Sequence, residues 1–157
     1  MVEASVWLQI ESLYRAHFRR FVRVARAIAG DRDSALEAVQ EGFADALRHA
    51  DQWAGRGPLE GWVWRCVVNR ARKARPRRAF ELPADERRTD GGHDDSELGV
   101  RLAALPERQR LVVFLRYFAD LEYREIAAAL GVETGTVSAT LHAAHANLRT
   151  AYEEALA

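Results

Sequence analysis

A chain of 157 residues can hold one domain or two small ones, and with nearly half its residues apolar it can fill a packed core. It carries 23 basic and 23 acidic residues, which excludes a uniformly basic or acidic surface as the basis of its function. Its single cysteine, Cys66, excludes an internal disulfide. No apolar run approaches the roughly 18 residues of a membrane span, and the N-terminus lacks a basic-then-apolar leader, so a cytoplasmic protein without membrane insertion is expected.

The neutral total hides segregation. Residues 1–78 hold 15 basic and 9 acidic residues, residues 79–99 hold 2 and 7, and residues 100–157 hold 6 and 7. A basic block, an acidic connector and a near-neutral block are different surfaces.

Trp7, Ile10, Tyr14, Phe18, Phe21, Ala25 and Ile28 recur at helical spacing, predicting an amphipathic helix over about residues 5–29 that Gly30 ends. Asp33 or Ser34 can cap the next helix, with Leu36, Val39, Phe43 and Leu47 on its apolar face. Its outward face carries Glu37, Gln40, Glu41 and Asp45. These would repel phosphate, so this face suits solvent or a protein partner. Asp51 to Gly57 reads as a loop, and Pro58 suits the first turn of a third helix. That helix is expected to bury Leu59, Trp62, Val63, Cys66 and Val67 and to end near Arg75, ahead of Pro76. Residues 79–97 offer Pro, paired Gly and acids but little to bury, which predicts a flexible linker. Helicity resumes near Leu98, and Pro106 opens a helix with Leu111, Val112, Phe114, Leu115 and Phe118. No useful β-alternation occurs. The expected fold is all-α, with two small helical domains over residues 1–78 and 98–157.

Two segments carry the chemistry. Tyr123 to Leu148 reads as two helices hinged at Gly131, a helix-turn-helix, with Val137, Leu141, Ala144 and Leu148 as the apolar stripe of the second. A helix so placed can enter a DNA major groove. Arg65 to Arg78 holds seven basic residues in fourteen and no acid. Arg65, Asn69, Arg72 and Lys73 fall near one helical face, a row able to track a phosphate backbone. Just before it, Trp53, Gly55, Arg56 and Gly57, then Trp62 and Trp64, set aromatics beside arginine. That mixture suits single-stranded nucleic acid, where bases stack on rings. Trp62 is the expected core residue of the three tryptophans, and Trp53 and Trp64 are the expected exposed ones. His142 and His145 have a spacing that can chelate zinc, but no further ligand cluster lies near them. No metal, cofactor or catalytic nucleophile–base pair is expected.

These features in this order resemble the extracytoplasmic-function (ECF) group of bacterial sigma factors, over roughly residues 10–152. DSALEAVQEGFADALRHADQW is similar to the polymerase-docking helix, and GRGPLEGWVWRCVVNRARKARPRR to the part that opens and reads the −10 element. LAALPERQRLVVFLRYFADLEYREIAAALGVETGTVSATLHAAHANLR is similar to the domain that reads the −35 element. The resemblance implies a non-enzymatic initiation factor for core RNA polymerase. Glu37, Val39, Gln40, Glu41 and Phe43 would meet the polymerase. Trp53, Arg56, Trp64, Arg65, Asn69, Arg72 and Lys73 would hold the melted −10 strand. Thr134, Thr136, Ser138, Thr140, His142 and Arg149 would read −35 DNA. An anti-sigma factor is a further implied partner.

The chain departs from the family pattern in its recognition helix. Lysine or arginine usually stands where this sequence has Ser138, Thr140, Ala143 and His145, and only Arg149 remains. Fewer cations predict a weaker −35 contact. The competing readings are a stand-alone helix-turn-helix regulator and a helical module that mimics a sigma factor. Neither explains the acid-free basic segment as well.

Overall fold

The structure is a computed structural model and describes residues 2–53, 55, 57–74 and 95–157. Its element order is α1 (Val2–Ala29), α2 (Arg32–Arg48), α3 (Ala50–Trp53), α4 (Leu59–Ala74), α5 (Asp95–Ala104), α6 (Glu107–Val113), a π-helical turn (Phe114–Phe118), α7 (Tyr123–Leu130) and α8 (Thr134–Leu156). No strand occurs among the described residues. Among the described residues no helix is long and apolar enough to cross a membrane. Most of the expected linker, residues 79–94, lies outside the described residues, as do Arg56 and Arg75–Arg78. Asp95 to Glu97 already belong to α5.

The N-terminal half packs α1, α2 and α4 against one another. An aromatic column holds them. Trp64 is fully buried and stacks on Phe21 with centroids 3.9 Å apart, and Phe43 meets Phe21 edge-on at 4.9 Å. Such offset and edge contacts add to the large area that aromatic rings bury. The apolar stripe of α1 is entered through Val6 and Ile10. Trp7, expected inside, is 55% exposed. The cap of α2 is Asp31, not Asp33 or Ser34: its Oδ1 accepts the Ser34 N–H at 2.8 Å. That bond also holds the Asp31 carboxyl below the usual carboxylate range.

Helices α2 and α4 approach closely. A Cβ at Gly42 would stand 2.6 Å from the Val67 Cα, so only glycine permits this crossing. On its other side α4 meets α7. A Cβ at Gly61 would lie 2.8 Å from both the Ala128 Cβ and the Glu125 carbonyl oxygen. Being covered from both sides, α4 has no single apolar stripe. Gly61, Val63, Trp64, Val67, Val68 and Ala71 are buried, while Leu59, Trp62 and Cys66 are only half-buried. The expected order of the tryptophans is thereby reversed.

In the C-terminal half, α8 packs on α6 and α7. Gly131 ends α7 with φ +66, the left-handed conformation that glycine adopts cheaply, and the Val132 N–H closes the turn on the Ala127 carbonyl. Glu122 and Glu125 form a reciprocal capping box at the start of α7. The run expected to be one regular helix instead widens at Phe114, whose carbonyl accepts the Ala119 N–H at 3.1 Å. Asp120 follows with φ +57, a conformation Asp tolerates better than most residues.

The glycine crossing yields a test by urea denaturation. Gly42→Ala should lose about 1–3 kcal/mol through overpacking. Gly99→Ala, in a helix where an added Cβ meets nothing within 4 Å, should gain about 0.5–1 kcal/mol.

Candidate nucleic-acid and polymerase interfaces

Arg65, Asn69, Arg72 and Lys73 are exposed on α4, as their helical spacing requires once Val63, Trp64, Val67, Val68 and Ala71 turn inward. Arg70 is different. Its guanidinium reaches back to α2, donating to both Asp45 carboxylate oxygens and, at 2.7 Å, to Glu41 Oε2. Among its described residues the basic segment is therefore divided between the structural cation Arg70 and an exposed row. The Arg70 hydrogen bonds hold the Asp45 carboxyl below the usual carboxylate range, against the smaller opposing effect of burial.

Where α4 meets α7, the Arg65 guanidinium lies over Gly131, 3.6 Å from where a Cβ would stand. Arg72 Nε donates to Glu107 of α6 at 3.0 Å. A groove of about 400 Å³ follows this seam, lined by Pro58, Trp62 and Arg65 on one side and Ala128, Gly131 and Glu133 on the other. The Trp62 indole N–H is shielded there without a hydrogen-bond partner among the described residues. Glu60 is caught in the same seam. Burial, and then the neighbouring Glu125 carboxylate, push its carboxyl above the usual range.

Trp64 cannot stack on a base, since it is sealed in the core against Phe21. Trp62, expected inside, is the tryptophan that lines the groove. Trp53 is half-buried, and its indole N–H donates to the Gly57 carbonyl at 3.2 Å, closing the loop after α3.

On α2, Glu37 and Gln40 are exposed. Val39 and Phe43 are core residues and cannot present their side chains to a partner. They lie on the α2 face that packs toward α1 and α4. Glu41 is half-buried on Arg70.

On α8, Thr134, Ser138, His142 and Arg149 are exposed. Thr136 and Thr140 are half-buried, and the Thr140 hydroxyl donates to the Thr136 carbonyl at 2.7 Å. That bond uses the donor a base acceptor would need. Sequence reasoning missed two exposed side chains here, Arg124 in the first turn of α7 and Tyr117 on the π-helical turn. The arginine was visible in the sequence. The tyrosine was not, because a regular helix would set it about 60° round from Phe114 and toward the core.

Residues 13–80 match the Sigma-70 region 2 family and residues 96–148 the Sigma-70, region 4 family. The ECF RNA polymerase sigma factor SigE of Mycolicibacterium smegmatis is 32% identical over 88% of this chain and 60% of its own length. The chain thus spans less than two thirds of that relative. The RNA polymerase sigma factor SigV of Bacillus subtilis is 30% identical over 82% of this chain and 81% of its own. The RNA polymerase sigma-E factor of Streptomyces avermitilis is 32% identical over 90% and 84%. The solved structure of CnrH in complex with the cytosolic domain of CnrY shares the fold, with a TM-score of 0.74 at 19% identity, covering 97% of this chain and 95% of that one. The chain belongs to the extracytoplasmic-function group of sigma factors, a family of promoter-recognising factors of RNA polymerase.

The Arg70 ion pair gives a signed pH dependence. A carboxyl whose folded pKa is depressed stabilises the fold fully above its unfolded value, near 4, and loses that contribution as pH falls through the lower folded value. Arg70→Met should therefore lower the urea unfolding midpoint at pH 7. The gap between variant and parent should narrow below about pH 4.

Proposed function

We propose that this chain binds core RNA polymerase through the exposed side of α2, holds the melted −10 strand on α4, and reads −35 DNA with α8. It works by positioning, with no chemical step and no cofactor. The observation that carries this reading is the exposed, acid-free row of Arg65, Asn69, Arg72 and Lys73, with the Trp62 ring beside it, in one chain with a helix-turn-helix. Cations along the backbone and an aromatic face suit single-stranded DNA, because every base offers a π-face while the phosphates supply the affinity. Residues 1–78 would form the docking and −10 unit, and residues 98–157 the −35 unit.

Glu37 and Gln40 are the polymerase contacts favoured by exposure. Val39 and Phe43 would act by fixing the helix that presents them. Of the expected −10 residues, Arg65, Asn69, Arg72 and Lys73 keep that role, and Trp62 takes the place of Trp64. Thr134, Ser138, His142 and Arg149 are the exposed candidates for −35 contact. A regulatory protein partner belongs to the reading, since CnrH was solved in complex with the cytosolic domain of CnrY.

The reading requires the chain to open. By their names the two elements lie about 25 base pairs apart, roughly 85 Å of duplex at 3.4 Å per base pair. Here α4 and α7 are in contact, and Arg65 and Arg72 face the C-terminal half. A chain serving both elements at once must part this seam.

Two measurements test the proposal. The chain should co-elute with bacterial core RNA polymerase and direct new start sites from a genomic DNA pool; absence of both contradicts it. Replacing Arg65, Arg72 and Lys73 together by alanine should leave co-elution intact. It should weaken promoter occupancy at least about tenfold and flatten the slope of log affinity against log salt by about 2, three cations each worth roughly 0.7 on a single strand.

A further inference from the structure

The π-helical turn at Phe114–Phe118 has no role in the reading above, yet it is an irregular feature. One extra residue per turn weakens the helix ladder, and such turns occur frequently at functional sites. Here it keeps Phe114 and Leu115 buried while leaving Tyr117 57% exposed. The turn is braced by the Leu121 N–H on the Leu115 carbonyl and by Arg116 Nη1 on the Leu121 carbonyl, at 3.0 and 3.2 Å.

Tyr117 is thereby carried to α8. Its hydroxyl lies 2.8 Å from His145 Nε2, and the two rings are 5.8 Å apart. The hydroxyl can donate to a neutral imidazole or accept from a charged one, so the contact holds in either state of His145. On the opposite flank of α8, Asn147 Nδ2 donates to Gln109 Oε1 of α6 at 2.7 Å. His145 and Asn147 bracket Ala144, the smallest residue of the buried seam formed by Val137, Leu141 and Ala144. A methyl group interlocks poorly, and apolar burial is not directional. With Leu148, one turn on, only half-buried, the apolar seam gives little side-chain interlock to fix the angle of α8 at this point.

That angle matters because of the lever. Thr134 lies eleven residues before His145, about 16 Å along the helix. A tilt of about 10° at His145 moves the N-terminal end of α8 by roughly 3 Å, the whole length of a hydrogen bond.

We propose that Tyr117 and Gln109 are positioning residues of the recognition helix: through His145 and Asn147 they clasp α8 from both flanks and set the angle at which its N-terminal half meets DNA. This rests on the assignment of α8 as the −35 reader. It places His145 in a clasp and not among the base contacts. It also gives the cation-poor helix a means of retaining selectivity, by geometry instead of charge.

The test uses the full chain with core RNA polymerase on the strongest promoter recovered from the genomic pool. Transcription is compared on the native promoter, on one with its −35 element scrambled, and on one with a −10 substitution. The variants are Tyr117→Phe with Gln109→Met, which keep ring and length and remove only the polar atoms. The −35 selectivity ratio should fall five- to tenfold, with the −10 ratio and the unfolding midpoint unchanged. Gln109→Asn with Asn147→Gln, which keeps an amide pair, should stay within twofold of the parent. An unchanged −35 ratio in the Tyr117 and Gln109 variant overturns the clasp, as does an equal fall in both ratios. A parent chain that initiates transcription but ignores the −35 element overturns the assignment of α8, and the clasp with it.

Discussion

Helix α4 is covered on two sides, and each cover depends on a glycine. Gly42 lets α2 settle onto Val67, and Gly61 lets α4 settle onto Ala128 of α7. A methyl group at either place would meet backbone or a Cβ at under 3 Å, which no rotamer change relieves. Most of what distinguishes the chain follows from this double burial. It sends Trp64 into the core and Trp62 to the seam. It leaves only one strip of α4 for Arg65, Asn69, Arg72 and Lys73. It also traps Glu60 beside Glu125, so closing the seam works against two like charges and a desolvated carboxyl. A raised carboxyl pKa favours the closed form at acid pH and opposes it near neutrality.

The neutral composition is resolved by sorting, not by mixing. Asp45 and Glu41 pair with Arg70, which pins α2 to α4. Glu107 meets Arg72 only because the C-terminal half lies against α4. The first pairing belongs to the fold of the N-terminal half. The second belongs to one arrangement of the two halves, and an exposed pair of this kind contributes about 1 kcal/mol or less. The seam is thus held by close packing at Gly61 and an exposed ion pair, while the buried Glu60 carboxyl opposes its closure near neutrality.

Periodicity made the helices and the two-part layout legible, and the helix-turn-helix was plain from Gly131 and the stripe around it. What the sequence hid was everything that depends on a second contact. Val39 and Phe43 looked like both core and docking residues because a single helix cannot say which face a partner will cover. The exchange of Trp62 and Trp64 needed knowledge of α7. Arg70 lies 25 residues from Asp45, so no local pattern marks the pair. The π-helical turn was invisible because LVVFLRYF has the spacing of a regular helix, and only the hydrogen bond from Ala119 to Phe114 reveals the extra residue.

The seam edge of α4, with Trp62, Arg65 and Arg72, serves two partners in turn: α6 and α7 in the closed chain, and promoter DNA in the open one. The decisive quantity is the distance between spin labels at Ala74→Cys on α4 and Arg124→Cys on α7, both exposed positions. Cys66 can remain in place, since burial pushes its thiol up to about 11 and leaves it slow to label. One short distance is expected in the chain alone and a much longer one in the complex with core polymerase and promoter, as the halves move onto elements roughly 85 Å apart. A distance that stays short in a transcribing complex would mean that α4 does not leave α7 to hold DNA.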